Sequence, residues 1–499
     1  MNPPKAPNIL STRRRVLRNA AYASMGATAI GSALRDLRLI NSAMAAGPIT
    51  DYKALVCLFL AGGNDSNNWI VPTDTPTYDA YASIRGNLAL PSASLLTLRT
   101  GPGGSDPAYV DGDGHTLGFH PTCQELRTLF GEGKLAAVMN VGTLVRPTTR
   151  AQYLANPTFY RPPQIFSHSD QVTQWQTSIP DQPPITGWGG RVADLLNSVA
   201  NPSGNISMSV SLNGNNTFEI GNLVSQYHVS QTGAVTLSGA LMAGSQPRVK
   251  AMKDLIALSH PNLQRQAYSG VLDSAIVTGD LLNSSIAATI EVAQGGTWVW
   301  NTAFPATGLG NQLKMIARLI QARGPAAFNM NRQVFFCSVG GYDTHTAQVT
   351  DPLNAANQFN PTTGTHTNLL NEVSECMFAF QRAMEQLGVS DKVTTFTASD
   401  FSRTFPTNSQ GSDHGWGAHH LIMGGAVKGG ETYGSLPTFA INGPDDTGTG
   451  RWIPTLAVDQ YSATLAKWFG LDSNEIAAVF PNPRSLDEKR LRLGKTAAI

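Results

Sequence analysis

The sequence predicts an α/β protein whose central sheet is mostly parallel and covered by helices. Short apolar runs that end near glycine alternate with amphipathic helical periods, the texture of strands buried on both faces and joined by right-handed crossovers. Acidic and histidine residues follow at least three of those runs: Asp65 in AGGNDSNN, Asp343 and His345 in GGYDTH, and Asp400 in ASDFSRT. A fourth cluster, DHGWGAHH, holds Asp413, His414, His419 and His420. Ligands in open α/β sheets bind beyond the carboxyl ends of strands, where Asp65, Asp343 and Asp400 are expected to fall.

Taken in order, Ala54 to Leu60 reads as a central strand stopped by Gly62-Gly63, a helix follows Pro121, and Leu135 to Val141 reads as a second strand. Leu313, Ile316 and Ile320 mark a helix, Val334 to Val339 a strand, and Leu370, Val373, Met377, Phe380, Met384 and Leu387 keep helical spacing. Val393 to Thr397 is a further strand, and Asp459 to Trp468 an amphipathic helix whose Leu465 and Trp468 belong to the core. Between about 201 and 307 the texture turns to Asn, Ser, Gly and Thr. There Asn213-Gly214 between SMSVSL and NTFEI predicts a hairpin, and Pro247 to about Val292 reads as helical, an insertion or cap beside the sheet.

The 499 residues, 41% hydrophobic and 14% charged, suffice for a large core, and residues 46–499 read as one domain without internal repeats. A net charge of +1, with no basic block after the first twenty residues, gives no reason to expect a nucleic acid partner. Residues 1–45 stand apart. Arg13-Arg14-Arg15 precede a weakly apolar stretch and the small-residue site Ala43-Met44-Ala45, which resembles a twin-arginine export signal. That resemblance implies the twin-arginine machinery as a partner, a periplasmic or secreted mature protein, and passage in the folded state. No later run reaches the roughly 20 apolar residues of a spanning helix. Cys57, Cys123, Cys337 and Cys376 lie in apolar or helical segments without C-x-x-C spacing, so buried free thiols are expected.

Buried carboxylates are costly unless paired, protonated or bound to a cation. With histidines in the same clusters, a divalent ion is the simplest solution, and Asp and His donors without thiolate suit zinc, manganese, iron or similar ions. The candidate ligands are Asp65, Asp343, His345, Asp400, Asp413, His414 and His419; if that last segment is extended, His419 and His420 cannot both point into one site. Arg403 is a candidate for gripping an anion through its guanidinium fork, or else a salt-bridge partner of Asp400.

LVCLFLAGGNDSNNWIVP, FFCSVGGYDTH, TFTASDFSRT, SDHGWGAHHLIMGGAVKGG and VDQYSATLAKWFG together resemble the bacterial DUF1501 family, placed in the alkaline phosphatase-like superfamily. The resemblance implies a three-layer α/β/α sandwich and one or two divalent ions hydrolysing a small-molecule or polymer-borne phosphate or sulfate ester. It puts Asp65 at the place of the first metal-binding Asp, and Asp343 with His345 at an Asp and His that hold one ion. Asp400 falls where the superfamily has an Asp-His pair, yet Phe401 follows it here. Either His414 or His419 supplies that imidazole, or the second site is incomplete.

Ser167, opening a helix in QIFSHSDQVTQW, is the first candidate nucleophile, with His168 a minor candidate beside it and Ser66 the second serine. No cysteine stands in a C-x-P-S-R context, and water activated by the ion would need no protein nucleophile. The rival expectation is an exported binding or assembly protein that retains a structural or vestigial metal site.

Overall fold

Lys53–Leu60 folds as the strand its apolar run predicts, and every residue after Lys53 in it is buried. The computed structural model describes residues 48–101, 104–155, 157–183, 185–234, 246–259, 261–289, 300–349 and 360–481. The export signal expected over 1–45 lies outside them.

The strands in chain order are β1 (Lys53–Leu60), β2 (Ile70–Pro72), β3 (Leu96–Thr97), β4 (Leu117–Phe119), β5 (Leu135–Gly142), β6 (Ser209–Ser211), β7 (Tyr227–Ser230), β8 (Gly233–Ala234), β9 (Arg332–Val339), β10 (Val393–Ser399), β11 (Ala418–Met423), β12 (Thr432–Tyr433) and β13 (Leu456–Ala457). The large sheet runs β12-β5-β11-β10-β1-β9-β6-β7-β8, with β13 also on β5, while β2-β4-β3 form a small separate sheet. β1 lies between β10 and β9, parallel to both, and the register aligns Leu60 with Ser399 and with Val339. The three central strands therefore end at one level, so the loops bearing Asp65, Asp400 and Asp343 leave the sheet side by side. The sheet is mostly parallel; β11, between β10 and β5, and β8 at the edge run antiparallel.

Two groups of helices pack on this sheet, an arrangement compatible with an α/β sandwich. Thr365–Gln386 contacts both Gln124–Gly131 and Gly308–Gln321, and His168–Thr177, Trp188–Ala200, Val458–Phe469 and Ser473–Val479 form the second group. Their periodicities are those the sequence predicts: Leu370, Val373, Met377, Phe380 and Met384 are all buried along Thr365–Gln386. Each fully buried Leu, Val, Phe or Met side chain stabilises the fold by about 1.5–3 kcal/mol. The Thr307 side chain accepts the Gly310 N–H and so starts Gly308–Gln321. All four cysteines are free and buried. No helix of the described residues is long and apolar enough to cross a membrane.

The hairpin expected at Asn213-Gly214 does not form. SMSVSL supplies β6, which pairs in parallel with β9 and β7, and NTFEI is a turn instead of a return strand. Its backbone groups find other partners: the Thr217 and Phe218 N–H groups donate to Gln176 Oε1, and the Gly187 and Gly190 N–H groups donate to the Ile220 and Phe218 carbonyls. The 201–307 stretch thus supplies β6, β7 and β8 at the edge of the main sheet, followed by the helices Gln246–Ile256 and Leu263–Ala287.

Candidate metal centre

Two glycines let the site's loops meet. Gly62, at φ +115°, packs so closely on the Tyr342–Asp343 backbone that a Cβ there would overlap the Asp343 nitrogen, and its own N–H donates to Asp400 Oδ1 at 3.0 Å. Gly411 lies as tightly on the carbonyls of Thr344 and His345. After β10 the chain doubles back, with an antiparallel bridge between Arg403 and His414 and a 2.8 Å bond from the Thr404 N–H to the Asp413 carbonyl. His168 arrives from elsewhere, as the first residue of His168–Thr177. Phe166 just before it takes φ +73°, uncommon for a bulky residue, and its carbonyl accepts the His414 Nδ1–H at 2.8 Å.

These loops bring His168, Asp343, His345 and His414 together. Nε2 of His414 lies 3.1 Å from Nε2 of His168 and 2.9 Å from Nε2 of His345. Asp343 Oδ1 is 3.5, 3.1 and 3.4 Å from Nε2 of His168, His345 and His414. The ligand atoms of His168, Asp343 and His414 all lie within 4.8 Å of one another.

The opposite ring nitrogens are each committed to an acceptor. His168 Nδ1–H donates to Asp400 Oδ2 at 2.7 Å, His345 Nδ1–H to Asp413 Oδ1 at 3.0 Å, and His414 Nδ1–H to the Phe166 carbonyl. In the neutral rings this fixes a tautomer whose Nε2 lone pairs face each other and a carboxylate oxygen. Four acceptors in contact repel unless a cation lies among them, and outward Nδ1–H bonds to carboxylates or carbonyls are the usual support of metal-bound histidines. A tetrahedral ion held at about 2.0–2.1 Å sets its donors about 3.3 Å apart, and the separations within the His168, Asp343 and His414 set, 3.1 to 3.5 Å, bracket that value, with His345 Nε2 2.9 and 3.1 Å from His414 and Asp343. The residues present therefore fit a divalent ion of the zinc type. Side-chain exposures of 48% for Asp343, 42% for His345, 34% for His168 and 23% for His414 leave the cluster open to solvent.

Local electrostatics agree with this geometry. The hydrogen bond to Asp400 raises the His168 pKa against the pull of burial, whereas burial is the main cause that lowers His414. Burial pushes Asp343 up, but Arg403, by hydrogen bond and by charge, with His168 and His345 behind it, holds the carboxyl below its usual range. Asp413 is lowered too: burial opposes it, and the His345 and Asn408 hydrogen bonds prevail.

Not every residue singled out in the sequence meets here. Asp400 and Asp413 stand behind His168 and His345 as hydrogen-bond partners, not in the converging set. Asp65 is fully buried in an ion pair with Arg85. Gln348 Nε2 shares its Oδ2, and Asn67 Nδ2 donates to its Oδ1 at 3.2 Å, so both carboxylate oxygens are taken. His419 points elsewhere because it lies in β11: its Nδ1 accepts the Asn140 N–H at 3.1 Å, and burial lowers its pKa to about 4. His420, on the other face of that strand, lies against Trp175.

Arg403 has no free fork for an anion. One Nη atom bonds Asp343 and the Gly62 carbonyl, the other the Ser412 carbonyl, and the expected partner Asp400 is not among them. Ser167 donates from Oγ to Asp170 Oδ2 at 2.6 Å. Ser66 is buried against Ser402 and the His419 N–H, out of reach of solvent. Phe401 forms a wall of the cluster, 4.8 Å from the rings of both His168 and His414. His168 carried little signal in the sequence beyond its place next to Ser167 at a helix start.

No curated protein matches the chain. A solved structure, the crystal structure of Ps i-CgsB in complex with k-i-k-neocarrahexaose, aligns over 85% of this chain and 74% of that one at 8% identity, with a TM-score of 0.30. A likeness that slight decides nothing about fold or activity. Residues 52–480, which contain every residue of the cluster, match the family described as a protein of unknown function, DUF1501, and the chain belongs to that family.

Proposed function

We propose that the chain is an exported metal-dependent hydrolase of phosphate or sulfate esters, with an alkaline phosphatase-like α/β/α sandwich and one divalent ion, zinc or manganese. The observation that carries this reading is the meeting of three Nε2 atoms and Asp343 Oδ1, each imidazole braced from behind. A divalent ion there supplies Lewis acidity toward an ester oxygen and toward water. His168, His345, His414 and Asp343 would hold it, Asp400 and Asp413 would keep the protons on Nδ1, and solvent exposure would give substrate access. One ion is proposed rather than two because Asp65 is spent on Arg85 and Gln348. Ser167 remains the candidate nucleophile, with Asp170 in hydrogen-bond range of its proton. Twin-arginine export to the periplasm or beyond is part of the same proposal and rests on the N-terminal sequence.

Elemental analysis of the metal-replete protein should find one ion per chain, and none in the folded Asp343→Ala/His345→Ala double variant. A replete wild type without metal, or a double variant that keeps it, sinks the reading. A binding protein with a structural ion is the second reading, favoured by His345 as a fourth donor beside His414 and Asp343. It predicts the same ion count and no turnover of any phosphate or sulfate ester.

A further inference from the structure

Thr143 to Ser167, the segment leading into His168, contains Arg146, Arg150 and Arg161 and no acidic residue. Arg85, Arg332, Arg382 and Arg403 in the main fold are paired with acids. Arg146, Arg150 and Arg451 have no ion-pair partner among the described residues. Arg146 is instead stacked 3.5 Å above the Phe159 ring, and its Nε is buried without a hydrogen-bond partner. The Nε of Arg150 is equally unpartnered, while one Nη bonds Asn442. Arg451 lies 4.5 Å above the Phe166 ring, and its Nε donates to the His414 carbonyl at 2.6 Å. Beside the helix Arg150–Ala155, and next to the Phe159 on which Arg146 stacks, an open hollow of about 530 Å³ is lined by Ala151, Gln152, Ala155, Phe159 and Tyr160.

A guanidinium packed on an aromatic ring is held in place, and it is the Nη groups of these arginines not already given to Asn442 or Thr449, rather than the buried or bonded Nε groups, that stay free for an oxyanion. We propose that Arg146, Arg150 and Arg451 form a rim that receives the flanking anionic groups of a chain-like ester, so that the substrate is polymer-borne and polyanionic. In naming a substrate, this rests on the hydrolase reading above. Arg451 ties the rim to the centre, since it bonds the main chain of His414 and stacks on the residue whose carbonyl fixes the His414 ring. A nucleic acid fits less well: single strands need bare aromatic faces for their bases, and one face of Phe159 is already covered by Arg146.

The test uses dextran sulfate as the polyanion, uncharged dextran and a single-stranded oligonucleotide as controls, and binding titrations at several salt concentrations with metal counted in every sample. Wild type should bind dextran sulfate at low salt. Arg146→Ala/Arg150→Ala should weaken that binding about tenfold or more and flatten its salt dependence, with the lysine pair recovering most of it and the ion count unchanged. Arg451→Ala, tested separately because it touches His414, should weaken binding with the ion retained. The rim is overturned if wild type ignores dextran sulfate, if the alanine pair binds it as well as wild type, or if the oligonucleotide or plain dextran binds as tightly. Loss of metal from wild type would remove the hydrolase reading while the dextran sulfate result still decided the rim.

Discussion

Two groups of the same residue types, brought by neighbouring loops and by β11, do opposite things. In the outer group, His168, His345, His414 and Asp343 turn acceptor atoms toward one point and reach solvent. In the inner group, Asp65 is neutralised by Arg85, while His419 and His420 lie buried singly, each with an Nε2 that has no partner. The difference teaches that an Asp or His beyond a strand end does not make a ligand: convergence of lone pairs does, together with a partner that fixes the rear nitrogen. The strongest way to break the comparison is His414→Ala, since His414 Nε2 lies beside both other imidazoles. Removing one of four donors should weaken binding of zinc or manganese by about a hundredfold or more, while His419→Ala should keep a full complement of ion. If competition with a metal-sensitive dye gave equal affinities for the two variants, the distinction would fall.

The inner group should answer to stability instead. Arg85 and Asp65 have no exposed side-chain surface, and Arg85 also donates to the Thr404 and Phe405 carbonyls. Arg85→Met leaves a buried carboxylate without its cation, which should cost about 3–5 kcal/mol in denaturant unfolding, with much of the loss recovered in Arg85→Met/Asp65→Leu. A single variant within about 1 kcal/mol of wild type would show that Asp65 does not need Arg85.

Much of the frame was legible because it is local. A continuous apolar run announces a strand buried on both faces, and so β1, β5, β9 and β10 stand where the pattern puts them. Asp343, His345 and His414 were legible as candidates because each follows a strand or a glycine-rich turn, and they are the three that the folded chain brings into contact. The rest depended on long-range pairing. Nothing near Asp65 says that Gln348, 283 residues away, will share its carboxylate, or that Arg85 will neutralise it. His168 joins the cluster only because the folded chain carries it to Asp400, 232 residues later. Strand order is equally silent in local pattern: β11 between β10 and β5 turns HH from a loop motif into a strand whose two histidines face opposite ways.

A finer test asks what the rear carboxylates contribute. Asp400→Asn and Asp413→Asn keep the shape beside His168 and His345 but exchange a charged acceptor for a neutral amide. Each should lower metal affinity about 10–100-fold, less than loss of a donor, with the fold intact. An unchanged affinity in both would mean that these carboxylates do not tune the imidazoles, and an effect as large as that of His414→Ala would make them ligands after all.

The smallest expected effect concerns His420, and the readout is a slope. Burial lowers its pKa from 6.5 to about 3, the neighbouring His419 adding to the shift. In the unfolded chain the ring takes up a proton near pH 6.5, whereas the native ring stays neutral until about pH 3. Between these values the unfolded state holds the extra proton, so the contribution of neutral His420 is complete above pH 6.5 and is lost as the pH falls toward 3. One such group steepens the dependence of unfolding free energy on pH by at most about 1.4 kcal/mol per pH unit. His420→Gln should flatten the slope between pH 6 and 4 by up to that amount, whatever it does to the absolute stability through lost packing on Trp175. Parallel curves for the two proteins across that range would mean that His420 is protonated in the native state as readily as in the unfolded one, and burial in β11 would then not be what keeps this ring neutral.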